Sequence, residues 1–301
     1  MGKSMDNSRH ARTLLYDKYI RYLFIAAAML MTLIILAIIA FVGRQGLLTF
    51  QDVSPLDFFL GAKWDPPQRF GALSFITGSL AVTVIAIVLG GPLGLAGAIL
   101  MEKIAPTWMR EIMRPATDLY VAIQSVVYGF IGLTVLVPLV RSTFHAKTGF
   151  GLLAAGIVLA IMILPTVISI SEDAIRSVPK SLEEASLALG ATRWQTIWRV
   201  LIPAAIPGIL ASIILAMARA VGETMAVQML IGNTPQVPVS LLMPTSTLPS
   251  EIVVEMGNTP FGSTWNNALF LMALVLLALS LLMILAIRYI AKKNAMNVSN
   301  A

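Results

Sequence analysis

Cysteine is absent from this chain of 301 residues, and histidine occurs only twice, at His10 and His145. The first absence excludes disulfide bonds and thiolate chemistry. The two imidazoles are isolated in the sequence, so no metal site is predicted. Charge is scarce as well, because Asp, Glu, Lys and Arg together make up 12% of the chain, about half their share in soluble domains. An ordinary water-soluble domain is therefore excluded.

Apolar residues are correspondingly frequent. They make up 57% of the sequence, and the mean hydropathy is +0.84. Six stretches have about the 20 residues that are needed to cross a bilayer as a helix, and they are too long for barrel strands. They are residues 23–42, 75–101, 116–140, 152–170, 205–231 and 268–290. We therefore expect an all-α integral membrane protein with six transmembrane helices in one domain, residues 23–290.

The positive residues indicate the orientation of the spans. Fifteen of the 21 Lys and Arg residues fall on the side of the two tails, residues 1–22 and 291–301, and five fall on the other side. Such an excess marks the cytoplasmic side, so both termini and the loop 171–202 are predicted to be cytoplasmic. The net charge of +6 thus follows the membrane topology, and nucleic acid is not an expected partner. The first apolar run is too long for a cleavable signal peptide and is predicted to remain as a span.

The opposite side is predicted to hold a long Pro-rich segment, residues 232–267, that contains no Lys or Arg. Most of it is expected to be loop, because five prolines interrupt it. A short helix is predicted at 249–256, since Pro249 is suited to the first turn of a helix.

The loop 171–202 has the spacing of two short amphipathic helices. The first is predicted at 181–189, and Gly190 is suited to end it because glycine tolerates a left-handed conformation. The second is predicted to end before Pro203. Its apolar residues recur at helical spacing: Trp194, Ile197, Trp198 and Leu201. Composition alone leaves two interpretations open, a hairpin anchored among lipid headgroups or a docking element for a soluble partner.

The spacing within this loop resembles a known pattern. Glu-Ala-Ser at 184–186, then Gly190, Val200 and Ile-Pro at 202–203 are similar to the EAA loop of ABC importer permeases. That pattern is Glu-Ala-Ala, three residues, Gly, nine residues, Ile, one residue, Leu-Pro, so the Glu, Gly and Pro positions agree. The resemblance implies a type I ABC importer permease fold and a short helix that docks on an ATPase subunit. The coupling residues that it implies are Glu184, Ala185, Ser186, Gly190 and Pro203.

The chain has no Gly-x-x-x-x-Gly-Lys-Ser/Thr loop of the kind that cradles nucleotide phosphates. We therefore expect that it is not an enzyme and holds no cofactor of its own. ATP and Mg are expected on a separate partner ATPase.

Two opposite charges lie inside the fifth apolar run. Arg219 and Glu223 are four residues apart and are predicted to share one face of a continuous helix. A charge at the centre of a bilayer costs about 2.5–3.5 kcal/mol on insertion scales. One interpretation is a structural ion pair, whose net contribution to stability is small. We favour the other, a path for an anion, because a guanidinium presents a charged fork to an oxyanion.

Other polar residues of the spans are candidates for the same path. Thr224 directly follows Glu223. For the candidates in the second and third spans, a hydrogen bond that holds two helices together is the alternative role. These candidates are Thr77, Ser79, Thr83, Gln124, Ser125 and Tyr128.

The fifth run also resembles one importer family in particular. Its segment 218–227, Ala-Arg-Ala-Val-Gly-Glu-Thr-Met-Ala-Val, followed by Ile-Gly-Asn at 231–233, is similar to the PstC-type membrane subunit of the bacterial phosphate-specific (Pst) importer. The stretches 58–61, 64–66 and 70–73 resemble the same type. The resemblance implies the import of inorganic phosphate across the bacterial cytoplasmic (inner) membrane by alternating access.

The same resemblance implies a set of partners. They are a homologous second permease subunit of PstA type, a dimer of PstB-type ATPase subunits and an extracytoplasmic PstS-type phosphate-binding protein, besides membrane lipid. The binding protein would dock on the outer segments 58–71 and 232–265. Two alternatives stay open: a permease for another oxyanion such as molybdate or sulfate, and a membrane scaffold that serves chiefly in phosphate signalling.

Overall fold

The computed structural model describes the backbone of residues 2–299 and the side chains of residues 18–117 and 119–289. Within this part, six helices are long and apolar enough to cross a membrane. They are Lys18–Gln51, Leu73–Ile104, Ser125–Thr143, Leu152–Arg176, Arg193–Gly222 and Thr264–Tyr289. The predicted all-α membrane fold with six spans is confirmed. The predicted tails lie outside the described side chains, except for residues 18–22.

Thirteen α-helices and one small hairpin follow one another along the described chain. They are α1 (Gly2–Leu47), α2 (Pro55–Leu60), β1 (Trp64–Asp65), β2 (Arg69–Phe70), α3 (Leu73–Ile99), α4 (Thr107–Ala122), α5 (Ser125–Ile131), α6 (Val137–Thr143), α7 (Leu152–Arg176), α8 (Lys180–Ala188), α9 (Arg193–Thr196), α10 (Ile202–Gly222), α11 (Met225–Ile231), α12 (Leu248–Glu255) and α13 (Thr264–Ser299). Three π-helical turns extend or join them: Leu100–Ile104 after α3, Gly132–Leu136 between α5 and α6, and Ile197–Leu201 between α9 and α10. The helix α8 precedes the fifth span in the chain, and α12 follows it. We name the two faces of the bundle after them, the α8 side and the α12 side.

The first, second, fourth and sixth spans overlap their predicted ranges with shifted ends, whereas the third and fifth are interrupted inside the predicted range. The third, predicted at 116–140, begins only at Ser125, because the two residues before it are extended. The fifth, predicted at 205–231, is the run Arg193–Gly222. Hydropathy is averaged over about 19 residues, so a break of two residues inside an apolar stretch leaves no mark on it.

The close approach of α3 to α7 forms the centre of the bundle. A Cβ on Gly94 would lie 2.6 Å from Val167 Cβ, and a Cβ on Gly90 would lie 2.9 Å from the carbonyl oxygen of Ala160. These positions have no room for a side chain, and small residues commonly bring membrane helices together in this way. Buried residues of α3, α7 and α10 complete this core, among them Val82, Ala86, Leu159, Ile163, Ala216 and Ala220.

The first and last spans pack along each other at the edge of the bundle. A Cβ on Gly46 of α1 would lie 2.9 Å from Leu271 Cα of α13. Near it, Gln45 Nε2 donates a hydrogen bond to Asn267 Oδ1 at 2.8 Å. The most apolar 18-residue window of the first span has none of its residues buried inside the protein. Most of this helix is therefore exposed on the surface of the chain.

A hairpin and a short helix close the α12 side. Strands β1 and β2 pair antiparallel with Trp64 opposite Phe70, and both rings are buried. The helix α12 begins after Thr247, whose side chain forms a reciprocal cap with the third helical residue. Pro249 lies in its first turn. The predicted short helix at 249–256 is thus confirmed.

On the α8 side, α8 and α9 form a hairpin around Gly190. This glycine has the left-handed φ of +85° that was expected at a helix end. The first arm begins at Lys180 with Pro179 in the cap position, one residue before the predicted start at Ser181. The second arm does not end before Pro203, since α9, the π-helical turn and α10 form one continuous run. The wider π turn precedes the proline, whose ring would otherwise meet the carbonyl four residues earlier.

We expect Gly94→Ala to destabilise the bundle, because its methyl group would be forced against the Val167 side chain. Overpacking of this kind costs about 1–3 kcal/mol. Gly91→Ala is the matched control in the same helix, since a Cβ there meets nothing closer than 4.0 Å. Thermal unfolding of the purified proteins in detergent measures both changes. Equal melting temperatures for the two variants would contradict the packing of α3 on α7.

Candidate functional site

The apolar run that was predicted as the fifth span is interrupted at Glu223. The helix α10 ends at Gly222, Glu223 is extended with φ −70° and ψ 124°, and α11 follows. Glycine weakens a helix, and polar neighbours satisfy the backbone groups that the break sets free. Thr224 Oγ1 donates to the Gly222 carbonyl oxygen at 3.2 Å, and the Ala226 amide donates to Glu223 Oε1 at 3.4 Å.

This break separates the two charges, and the prediction that they share one helix face is wrong. Arg219 lies in the last turn of α10, whereas Glu223 lies beyond its end. Within the described side chains no ion pair joins them at 4.0 Å or less. Arg219 Nη1 instead donates to Thr166 Oγ1 of α7 at 3.4 Å. Within this chain, the two residues therefore do not form an ion pair with each other.

A small cavity of about 10 Å³ lies next to the break, with room for about one water molecule. Three parts of the chain contribute four polar side chains to it: Ser79 and Thr83 from α3, Glu223 from the break and Thr247 from the residue before α12. Three hydroxyls and one carboxylate are thus gathered in one place. The carboxylate can accept a hydrogen bond from a protonated oxyanion, and it opposes an oxyanion that carries no proton.

The polar candidates of the second span have different surroundings. Ser79 and Thr83 line the cavity, and Ser79 Oγ also accepts a hydrogen bond from the Leu248 amide at 2.9 Å. This bond ties α3 to the start of α12. Thr77 does not line the cavity, and its hydroxyl donates to the Leu73 carbonyl oxygen of its own helix at 2.7 Å.

The third span has a break of the same kind before Ser125. Gln124 is extended and exposed, and Ser125 begins α5 with a half-buried side chain. The hydroxyl of Tyr128 donates to the Tyr120 carbonyl oxygen at 2.7 Å and so spans the break. The helix α5 packs against α11, which brings the two interrupted helices together. Gln124 and Ser125 themselves do not line the cavity at Glu223.

Three of the five predicted coupling residues, Glu184, Ala185 and Ser186, lie on α8. Gly190 lies in the turn after this helix, and Pro203 lies in the first turn of α10. Glu184 and Ala185 are exposed, and α8 has no buried residue. A Cβ on Gly190 would meet nothing within 4 Å. Ser186 points to the other arm of the hairpin, where its hydroxyl bonds to Thr196 Oγ1 at 3.0 Å. Leu182 and Leu187 of this helix are exposed, and so is Leu189 directly after it.

Three threonines of these regions were missed by sequence reasoning. Thr166 accepts from Arg219, Thr247 lines the cavity and Thr196 joins the arms of the hairpin. Only Thr247 had a usable signal, because a threonine two residues before a proline is typical of a capped helix start. A threonine inside a span gives no such signal, since it often bonds to its own helix.

A pair of carboxylates lies on α12, above the cavity. Glu255 accepts hydrogen bonds from the indole N–H groups of Trp64 at 3.0 Å and Trp265 at 2.7 Å. Glu251, one turn earlier, is buried. Burial, together with the negative charge of Glu255, raises the pKa of Glu251 from 4.5 to about 7. In the described part of the chain, no group of three or more His, Asp or Glu side chains could hold a metal ion.

Six spans, an exposed hairpin and interrupted helices in the fifth and third apolar runs describe a multi-pass membrane protein. Residues 90–295 match the family described as binding-protein-dependent transport system inner membrane component. The chain belongs to this family, the permease subunits of ABC importers. It is a multi-pass membrane protein with a transport role and not an enzymatic one, and the bacterial inner membrane is the location expected for the family.

Named proteins are similar over most of the chain. The probable ABC transporter permease protein YqgH of Bacillus subtilis (strain 168) is 49% identical over 278 residues, which cover 91% of this chain and 90% of that protein. The phosphate transport system permease protein PstC of Mesorhizobium japonicum is 34% identical over 287 residues, 87% of this chain and 86% of that protein. A crystal structure of a bacterial alginate ABC transporter matches with a TM-score of 0.63 at 15% identity, over 92% of this chain and 96% of that chain. At this identity the likeness concerns the fold alone.

We expect the thermal stability of the protein to fall as the pH rises toward neutrality. The unfolded chain releases the Glu251 proton near pH 4.5, whereas the folded chain holds it up to about pH 7. The stabilising contribution is therefore complete below the lower value, declines across this window and is absent above it. Melting temperatures in detergent at about pH 5 and about pH 8 measure the effect.

Glu251→Gln should show a smaller fall than the wild-type protein, because the titrating group is gone. Glu111→Gln, which changes an exposed carboxylate on α4, is the control and should keep the wild-type dependence. A Glu251→Gln profile parallel to that of the wild type would contradict the assignment.

Proposed function

We propose that this chain is the permease subunit of an importer that carries inorganic phosphate across the inner membrane by alternating access. The proposal rests on the surroundings of Arg219. It is a permanently charged guanidinium in an apolar run, with one hydrogen bond to the described side chains and no carboxylate within 4.0 Å. Its fork of donors suits an oxyanion. Relatives named as phosphate transport permeases support phosphate as that oxyanion.

The α8 side is assigned to the cytoplasm in this proposal, in accord with the positive residues of its loops. There α8 serves as the docking helix for a partner ATPase, which binds ATP and Mg. Glu184 and Ala185 are exposed and ready for contact, while Ser186 holds the second arm. The left-handed turn at Gly190 keeps the two arms at a fixed corner.

The remaining partners follow from the same assignment. A homologous PstA-type permease subunit would complete the membrane pore, two PstB-type ATPase subunits would bind the coupling hairpins, and a PstS-type phosphate-binding protein would dock on the α12 side. The segments 58–71 and 232–265 form that surface. Membership in a family named for binding-protein-dependent transport supports a partner of this kind.

The continuous run Arg193–Gly222 connects the docking hairpin with the charged site. Its 30 residues correspond to about 45 Å at 1.5 Å per residue. Closure of the ATPase dimer would push α8 and tilt this run, and the extended residue Glu223 would absorb the movement as a hinge. Phosphate would enter near Arg219, and Glu223 with Thr224 would accept and donate hydrogen bonds at the break. Hydrolysis of ATP would return the run to its first position.

A second candidate is a permease for another oxyanion, such as molybdate or sulfate. It is favoured by one observation, since the relative at 49% identity is named as an ABC permease without a substrate. A guanidinium alone does not distinguish among tetrahedral oxyanions. Competition by molybdate and sulfate against phosphate uptake in reconstituted vesicles separates the two candidates.

We expect Arg219→Ala to lower phosphate uptake by about 10- to 100-fold, the range that corresponds to loss of a hydrogen bond to a charged group. The measurement is uptake by the complete complex in vesicles. Arg219→Lys should retain part of the activity, because it keeps the charge but loses the fork. Arg141→Ala, which removes an exposed arginine at the end of α6, is the matched control. Uptake by Arg219→Ala at the wild-type rate would refute the role of this residue in the path.

We expect Gly190→Val to release the partner ATPase from the complex. A β-branched residue is strained at φ +85°, although its Cβ has open space. Gly262→Val is the matched control, because Gly262 has φ +80° with equal space but lies beyond α12. Co-purification of the ATPase with the tagged permease is the measurement. Equal recovery with both variants would count against the docking role of the hairpin.

A further inference from the structure

Two neighbouring residues at the end of α3 form ion pairs with two different elements. Lys103 Nζ lies 2.7 Å from Glu183 Oε2 of the helix α8. Glu102 Oε2 lies 3.1 Å from Arg176 Nη2 at the end of α7. The side chain of Lys103 is only 17% exposed and that of Glu183 is 33% exposed. Partial burial strengthens such a contact relative to a fully exposed ion pair.

The local backbone of Glu102 and Lys103 bears on why these neighbours contact two different elements. Both residues lie in the π-helical turn Leu100–Ile104, which inserts one residue into the helix and changes the angle between successive side chains. From this turn, Glu102 contacts α7 and Lys103 contacts α8. The end of the second span is thus held to the docking helix by a side-chain contact, without any covalent connection nearby.

From this contact, α3 leads directly to the cavity at Glu223. Lys103 and Ser79 lie about 36 Å apart along the helix at 1.5 Å per residue. Between them, α3 is in close contact with α7 at Gly90 and Gly94, and closely packed elements transmit a displacement to each other. Ser79 lines the cavity and bonds to the first residue of α12.

We propose that Lys103 and Glu183 form a second coupling contact, through which a displacement of α8 moves the α3–α7 pair and the Ser79 wall of the cavity. The inference rests on the proposed function, in which α8 docks on the ATPase. The first connection is covalent and runs from α8 through Gly190 and α9 into α10. The second moves the opposite wall of the same cavity. Both residues act by position and touch no substrate.

Without the ion pair, a push on α8 still reaches α10 but no longer reaches α3. The two walls of the cavity then no longer move together. Fewer phosphate ions are carried for each ATP that is hydrolysed. A pair that served stability alone would lower hydrolysis and uptake together. The ratio of phosphate transported to ATP hydrolysed therefore distinguishes coupling from a purely structural role.

The experiment uses the complete complex in vesicles with the binding protein, and it measures both rates in the same sample. Lys103→Gln and Glu183→Gln each remove one partner, and the exchange K103E/E183K restores opposite charges in reverse order. Asp173→Asn is the matched control, because the Asp173–Arg176 pair lies within α7, is 70% exposed at Asp173 and joins no two elements. Co-purification of the ATPase is checked for every variant.

We expect each single variant to lower the phosphate-to-ATP ratio by about 5-fold or more, the lower end of measured coupling between sites. The exchange should restore most of the ratio, and the control should keep the wild-type ratio. An unchanged ratio in the single variants, or an exchange as poor as they are, would overturn the second coupling contact. A wild-type complex that retains no ATPase would refute the proposed function and this contact together.

Discussion

Every membrane span of this chain is subject to one constraint: hydrocarbon offers no hydrogen-bond partner to an open backbone group. Where a helix breaks inside an apolar run, other groups of the protein must form hydrogen bonds with its open backbone groups. At Glu223 these are the Thr224 hydroxyl and the carboxylate itself, and before Ser125 the Tyr128 hydroxyl serves the same need. Glu223, which supports one break by a hydrogen bond to the backbone, is therefore also one of the residues that line the cavity beside it.

The six spans and the helical class could be predicted, because uninterrupted apolar runs of this length admit only helices in lipid. The start of α12 could be predicted as well, since Pro249 fits a first turn. The breaks could not, because Gly222 and the two polar residues after it barely change an average over a whole span. Pro203 led to the opposite error, a predicted helix end at a point where the helix continues. A π-helical turn ahead of the proline allows this continuation. Both errors come from backbone geometry, which side-chain polarity does not report.

The candidate site was predictable only where a residue is out of place in its surroundings. Arg219 and Glu223 are such residues, and so, less clearly, is Ser79. Thr166 is ordinary in a span, and its contact with Arg219 depends on how α7 lies against α10. The pairing of Lys103 with Glu183 joins residues 80 positions apart, and no periodicity relates them. Long-range contacts of this sort follow from the packing of whole helices, and only the folded structure reveals them.

The pairing of the first span with the last bears on how the chain is made. Gln45 and Asn267 are 222 positions apart, and the ribosome delivers the N-terminal end first. The helix α1 therefore enters the membrane long before α13 exists. It must remain there surrounded by lipid, with its glutamine amide still lacking its counterpart. Closure of the bundle edge is consequently a late event of biosynthesis, and a nascent chain that stalls before α13 would leave its first helix unattached.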